Sequence, residues 1–138
     1  MPHVQINFLA VIVSAAVALA IGALWYSPLL FAKHWMRAHG YTEESVKEMQ
    51  KGTAKAYAIS ILCHVLIALA IAVLVSYLNL WVYFKGLKLG LLIWAGFALP
   101  LGLMANTFSD KKLTAFAIDA GYQLVYLLIM GAIITVWR

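Results

Sequence analysis

The polar residues that could do chemistry in this chain are concentrated in its last apolar stretch, residues 113–137. The only formally charged residue of that stretch is Asp119, and Tyr122, Gln123 and Tyr126 follow it. These four residues have the i, i+3, i+4 and i+7 spacing of one helix face. A carboxylate within a membrane is costly and usually faces protein or water, so it often marks a binding site or an ion pathway.

A second titratable group, His64, lies in the apolar stretch 56–78. Tyr57, Ser60 and His64 share one helix face, and Ser60 is placed to hydrogen-bond the imidazole. If both stretches start at the same membrane surface, His64 lies about 13 Å deep and Asp119 about 10 Å deep. The sequence therefore predicts that Asp119 and His64 face a common interior, with Tyr122, Gln123 and Ser60 nearby and Asn106 closer to the entrance.

The sequence also leaves other environments open for these two groups. Asp119 is only two turns from the start of its stretch, where water could reach it. It could also pair with Lys111 or Lys112, or accept a hydrogen bond from a Trp or Tyr donor. His64 could simply link helices by a hydrogen bond. The polar cluster therefore has three candidate uses: structural, ligand binding, and movement of protons or ions.

Composition indicates the class of protein that surrounds these residues. The chain has 138 residues, 65% hydrophobic and 11% charged, whereas soluble domains carry about 25% charged residues. Further apolar stretches cover residues 8–26, 56–78 and 89–105, and about 20 apolar residues span a bilayer as a helix. We expect an all-α fold, an integral membrane four-helix bundle forming a single domain over residues 1–138. Its helices should lie near residues 6–26, 54–78, 87–106 and 113–137.

The connections between these helices predict the orientation of the chain. Residues 27–53 mix apolar and basic side chains and are expected to form a short amphipathic segment along the membrane interface. Within it, Thr42 is placed to cap a short helix whose first turn holds Glu43 and Glu44. Of the ten Lys and Arg residues, seven lie in or beside connections 27–53 and 107–112, and three lie on the other side. The positive-inside rule then predicts that both connections are cytoplasmic and both termini outside.

Small residues form two stripes that would let helices approach closely. On the third helix, Ala98 and Gly102 form one of these stripes, which leads to Asn106. Pro100 lies within the same helix and is expected to kink it and free a carbonyl near Gly96. The first helix carries the other stripe, at every fourth position: Ala10, Ser14, Ala18 and Gly22. We expect these stripes to support helix packing and a homo-oligomer.

Several kinds of chemistry find no support in the sequence. Hydrolase elbow, phosphate-loop, HExxH and CxxC motifs are absent. The only cysteine, Cys63, is expected to be a buried inert thiol, and the spacing of His34 and His39 does not suit two metal ligands on one helix face. The net charge of +5 is explained by anionic lipid head groups and topology. We expect no metal, no cofactor and no nucleic acid, and a lipid bilayer as the partner.

Several groups of residues together resemble a known family. They are Leu24-Trp25-Tyr26-Ser27-Pro28-Leu29-Leu30-Phe31, Gly90-Leu91-Leu92-Ile93-Trp94 with Gly96-Phe97, Ile118-Asp119-Ala120-Gly121-Tyr122-Gln123-Leu124-Val125, and Gly131-Ala132-Ile133 with Trp137. They resemble the small multipass membrane family catalogued as domain of unknown function 1761, over nearly the whole chain. The resemblance implies an integral membrane protein, commonly bacterial, and hence the bacterial cytoplasmic (inner) membrane. It supplies no activity, cofactor or catalytic residue.

Three functions follow as hypotheses. The first is a structural or accessory membrane protein with a buried polar cluster around Asp119. The second is a small transporter or ligand-binding protein that uses Asp119 and His64. The third is a membrane enzyme that acts on a lipid-like substrate, for which the sequence offers no catalytic residue. A cavity at Asp119 would favour the second hypothesis, and a dry cluster with every polar group paired would favour the first.

Overall fold

The protein is built from helices alone in the part that the computed structural model describes, residues 3–138. Its helices are α1 (Phe8–Trp25), α2 (Ala32–His39), α3 (Glu43–Gln50), α4 (Thr53–Tyr77), α5 (Tyr83–Ile93), α6 (Leu99–Phe108) and α7 (Leu113–Val136), and the π-helical turn Trp94–Ala98 joins α5 to α6. Helices α1, α4 and α7 and the continuous unit Tyr83–Phe108 are long and apolar enough to cross a membrane. The predicted all-α, four-helix architecture is confirmed, although the third span begins earlier than residue 87.

Local signals in the sequence explain where the helices begin and end. The side chain of Asn7 accepts a hydrogen bond from the Ala10 amide at 3.2 Å, which caps α1. Thr42 caps α3 as predicted, because its side-chain oxygen accepts from the Ser45 amide at 3.2 Å. Gly40 ends α2 at φ 70°, a left-handed conformation that favours glycine.

The connection between α1 and α4 contains more helix than the sequence indicated. The capped helix α3 was expected, whereas α2 was not. Aromatic contacts hold α2 against the end of α1: the Trp35 ring lies 6.1 Å from Tyr26, and on its own helix it lies 4.1 Å from His39. Helix α2 also contacts α7. Helix α2 therefore packs at the end of the bundle where α1 ends.

Helix α7 is the centre of the bundle and contacts α1, α4, α5 and α6. Its closest crossing is with α5, where glycines bring the two backbones together. A Cβ atom added to Gly86 would overlap the carbonyl oxygen of Gly131, and one added to Gly90 would overlap that of Leu127. Neither predicted stripe included this crossing.

The two predicted stripes pack within the chain. Gly102 faces the Phe116 ring and Ala98 lies against the core. Gly22 faces the hydroxyl of Tyr122. The remaining members of the α1 stripe are fully buried, and α1 packs on α4 and α7: Ala10, Ser14 and Ala18. Because both stripes make contacts inside one chain, they no longer argue for self-association, which stays a prediction.

The expected disturbance near Pro100 takes the form of a π-helical turn. Pro100 lies in the first turn of α6, and the amide of Leu99 donates to the carbonyl of Trp94 five residues earlier. Because proline has no amide proton, the helix ahead of it has to relax its hydrogen bonding, and a π turn is one way to do so. This turn carries Trp94, which reaches α7 as described below.

The two ends of the bundle differ in what they bring together. At one end, α1 finishes beside the first turns of α4 and α7. At the other end, the Gln5 amide donates to Ser76 Oγ at 3.2 Å, and Arg138 donates to the Leu80 carbonyl at 3.0 Å. The described residues near both termini therefore lie at the same end, as an even number of spans requires. Which end is cytoplasmic stays a prediction.

Candidate functional site

Asp119 lies two turns into α7, where it meets the end of α1. The Tyr26 hydroxyl donates a hydrogen bond of 2.5 Å to Asp119 Oδ1. A phenol ordinarily keeps its proton at neutral pH, so the Tyr26 hydroxyl is the donor and the carboxylate the acceptor. Within residues 3–138, no protein group donates to the second carboxylate oxygen, Oδ2.

Two indole rings fix the rotation of α7 at this point. Trp25 Nε1 donates to the Ile118 carbonyl at 3.0 Å, and Trp94 Nε1 donates to the Ala120 carbonyl at 2.8 Å. These carbonyls belong to the residues on either side of Asp119. Because the indoles come from α1 and from the π-helical turn, a rotation of α7 would break contacts with two other parts of the bundle.

Tyr122 on α7 joins His64 on α4 to α1. The Tyr122 hydroxyl donates to the Ala18 carbonyl at 2.8 Å and lies 3.0 Å from His64 Nε2. Because the single hydroxyl proton goes to Ala18, we assign the proton of the second bond to Nε2. The other ring nitrogen, Nδ1, is buried and has no hydrogen bond of standard geometry, although the Ser60 backbone lies close by.

Aromatic rings connect His64 to the carboxylate. The Tyr126 ring lies 5.0 Å from His64 and 4.9 Å from Tyr122, and the Tyr122 ring lies 5.5 Å from Tyr26. All three pairs have the tilted or edge-to-face geometry that favours aromatic packing. Tyr26 and Tyr122 therefore lie between Asp119 and His64.

The predicted common centre is thus divided. Asp119 and His64 form no direct pair, and the sole salt bridge within residues 3–138 joins Lys51 to Glu48 at 3.8 Å. Among the described contacts the Ser60 hydroxyl makes no hydrogen bond to the imidazole, whose side-chain partner is Tyr122. The same residues hold no group of three or more His, Cys, Asp or Glu side chains suited to a metal ion.

Gln123 and Asn106 lie on a different side of Asp119 from His64. Together with Asp119 and Lys111 they line a groove of about 200 Å³ between α6 and α7. The Asn106 amide donates to the Lys111 carbonyl at 3.1 Å, which closes the turn between these helices. The groove has no part in the contacts made by His64.

A larger cavity lies between the end of α1, the α2–α3 pair and the first turns of α4. It measures about 680 Å³, within the range of about 300–1,000 Å³ that is typical of ligand pockets. One end is polar and aromatic, with Asp119, Tyr26, Trp35, Tyr57 and Ser60. The remaining wall is mostly apolar and includes Pro28, Met36, Val46, Met49 and Ala56. A cavity of about 210 Å³ shares Tyr26, Tyr57 and Ser60 with it and extends to His64.

Sequence reasoning missed four aromatic residues of this site. They are Trp25, Tyr26, Trp35 and Trp94, whose residue types alone suggest only a place at the membrane interface, because Trp and Tyr are common there. The available signal was that Trp25 and Tyr26 lie at the end of the first apolar stretch, at the membrane surface from which the helix of Asp119 starts. The expectation for Cys63 was also wrong, since this thiol is exposed on α4.

The central role of Tyr122 leads to a prediction. We expect Tyr122→Phe to lower the free energy of unfolding by about 1–3 kcal/mol, because Ala18 and buried His64 both lose their hydrogen-bond partner. Thermal unfolding in detergent, followed by the monodisperse fraction, measures this change. Tyr83→Phe is the control, since Tyr83 is exposed. An equal melting temperature for both variants would show that the Tyr122 hydroxyl contributes nothing.

The comparison with protein families decides the identity of the chain. Residues 9–135 match the family described as "Protein of unknown function (DUF1761)". The chain belongs to this family. The match confirms the resemblance found in the sequence, and it extends over all four membrane-length helices of this DUF1761 protein. No curated protein and no solved structure matches the chain. Family and helices together indicate a multipass membrane protein.

Proposed function

We propose that this DUF1761 protein binds an amphipathic small molecule in the 680 Å³ cavity. The ligand's apolar part lies against Met36, Val46 and Met49, and its polar head meets Asp119 and Tyr26. One observation carries the proposal. The cavity is lined mostly by apolar residues, but one end is formed by Asp119, the only formally charged residue within the apolar stretches 8–26, 56–78, 89–105 and 113–137. Pockets of this composition orient a ligand by a few polar groups and bind its body by apolar contact.

An unpaired carboxylate oxygen favours this function over a purely structural cluster. Asp119 lines the cavity, and its Oδ2 accepts no bond from the described residues. This oxygen is not among their fully buried polar atoms, so it is open to a ligand. A carboxylate whose only role is structural normally has donors for both oxygens, because an unpaired charged group in a membrane protein costs free energy.

The cellular setting forms part of the same proposal. We place the protein in the bacterial cytoplasmic membrane, with both termini outside and the connections 27–53 and 107–112 in the cytoplasm. Seven basic residues against three support this orientation. The cavity then opens at the cytoplasmic interface, where amphipathic molecules partition. A reporter enzyme fused to the C-terminus tests the orientation, because activity on the cytoplasmic side would contradict it.

A blocked cavity tests the proposed function. We expect native mass spectrometry of the protein released from dodecyl maltoside to show one retained amphiphile, either copurified or added from a decyl-chain series. Ala56→Trp should abolish retention, because the indole would fill the cavity that Ala56 lines. Ala70→Trp is the matched control on the exposed surface of the same helix. Equal retention by the two variants, or none by the wild type with any amphiphile, would contradict ligand binding in this cavity.

A further inference from the structure

We propose that the head group recognised in this cavity is an organic cation, an amine or a quaternary ammonium group carried on an apolar tail. The inference rests on the proposed function and adds the charge and chemistry of the ligand to it. Asp119 provides the counter-charge, and Tyr26, Trp35 and Tyr57 provide aromatic surface around it.

The first reason is that Asp119 has no cation of its own. The carboxylate accepts one bond, from the neutral hydroxyl of Tyr26, and forms no salt bridge with any Lys, Arg or His among residues 3–138. An anion removed from bulk water in a membrane protein is normally paired with a positive group. The open oxygen Oδ2 leaves room for that group to come from a ligand.

Lys111 and Lys112 are the basic residues nearest to Asp119 in sequence, and neither forms a salt bridge with it. Lys111 shares the groove between α6 and α7 with Asp119 but does not line the 680 Å³ cavity. The basic residues of α2 and α3 line a different cavity. Lys33, Arg37 and Lys47 line a space of about 450 Å³ formed by α2 and α3, and Asp119 does not line that space. The 680 Å³ cavity contains no Lys, Arg or His in its lining, so Asp119 is its only formal charge. Its electrostatic field therefore favours a positive ligand over a neutral or negative one of equal size.

The second reason is the arrangement of the aromatic rings. The rings of Tyr26 and Trp35 lie 6.1 Å apart at an interplanar angle of 77°, so they form two nearly perpendicular walls. Tyr57 lines the same cavity. Aromatic faces attract cations through their quadrupole, and quaternary ammonium groups are commonly bound by several rings around one site. A carboxylate beside such rings combines both kinds of attraction.

Probes that share a tail and differ only in charge test the head group. Decyltrimethylammonium, its uncharged analogue with carbon in place of nitrogen, and decyl sulfate are titrated into the protein in dodecyl maltoside, with protein-free micelles as the baseline. We expect calorimetry to give the cation an affinity on the order of 10-fold above the neutral analogue. Asp119→Asn, which keeps an acceptor for Tyr26, should remove this preference. Asp110→Asn is the control, because Asp110 is an exposed turn residue at φ 52° and asparagine tolerates that conformation.

A second variant keeps the test decisive if Asp119→Asn does not fold. Tyr57 is exposed over half of its surface, so Tyr57→Leu should fold and weaken binding of the cation by about 3-fold, while the neutral analogue is unaffected. Equal affinity of all three probes, abolished by Ala56→Trp, would overturn the cationic head and leave the proposed function standing. Absence of binding by every probe would contradict both the proposed function and the cationic head group. Tighter binding of decyl sulfate would contradict the cationic head group alone.

Discussion

Gly86→Ala is expected to destabilise the protein more than any other single methyl group added to it. The added Cβ atom would overlap the carbonyl oxygen of Gly131, a backbone atom that no rotamer change can move. Helix α5 would have to shift away from α7 along its closest crossing. Overpacking of this kind costs about 1–3 kcal/mol when side chains can adjust, and we expect about 3 kcal/mol or more here.

The chain provides a matched control for this substitution. Gly96 lies in the π-helical turn, and nothing lies within 4 Å of a Cβ added there. We expect Gly96→Ala to be neutral or slightly stabilising, because alanine favours helix over glycine by about 1 kcal/mol. The readouts are the apparent melting temperature and the monodisperse yield in dodecyl maltoside. Similar values for the two variants would contradict the close α5–α7 crossing.

Asp119→Ala and Ser14→Ala are expected to act in opposite directions. Loss of the carboxylate leaves the half-buried Tyr26 hydroxyl without its acceptor, which should cost about 2 kcal/mol. It should also abolish ligand retention. Ser14, in contrast, is 0% exposed and its hydroxyl has no hydrogen-bond partner, so alanine removes an unsatisfied polar group. We expect Ser14→Ala to leave the melting temperature unchanged or to raise it.

The measurement compares both variants with the wild type by thermal unfolding in detergent and by native mass spectrometry. A melting temperature lowered for Asp119→Ala and maintained for Ser14→Ala supports the Tyr26–Asp119 contact as a determinant of stability. If Ser14→Ala were the more destabilising of the two, the hydroxyl of Ser14 would have to make a bond that the described contacts lack. If Asp119→Ala retained the ligand at the wild-type level, Asp119 would make no contribution to ligand binding in the cavity.

The sequence was sufficient for features that depend on composition or on neighbouring residues. Membrane length and hydropathy predicted the four long helices, and Thr42 predicted the start of α3. Pro100 predicted the disturbance that became a π-helical turn. These features are local, because the bilayer requires each spanning helix to satisfy its own backbone hydrogen bonds. The same locality explains why the family could be recognised from short groups of residues.

Contacts between distant segments could not be obtained in this way. Spacing placed Asp119 and His64 at similar depths, but depth does not specify which helix faces which. The tertiary structure paired Asp119 with Tyr26 and His64 with Tyr122, and it put Gln123 and Asn106 in a separate groove. Tyr26 and Asp119 are 93 positions apart in the chain, and His64 and Tyr122 are 58 positions apart. Helix rotation and crossing, which only packing fixes, decided those partners.

By itself, then, the amino-acid sequence determined an all-helical membrane chain with one unusual carboxylate, because burial in lipid constrains every spanning segment separately. The tertiary structure alone decided what that carboxylate meets. It brought the end of α1 and the unforeseen helix α2 around Asp119, and it directed the small-residue stripes inward. The physical reason is that close packing of α7 against its neighbours selects one rotation among many that hydropathy would allow equally.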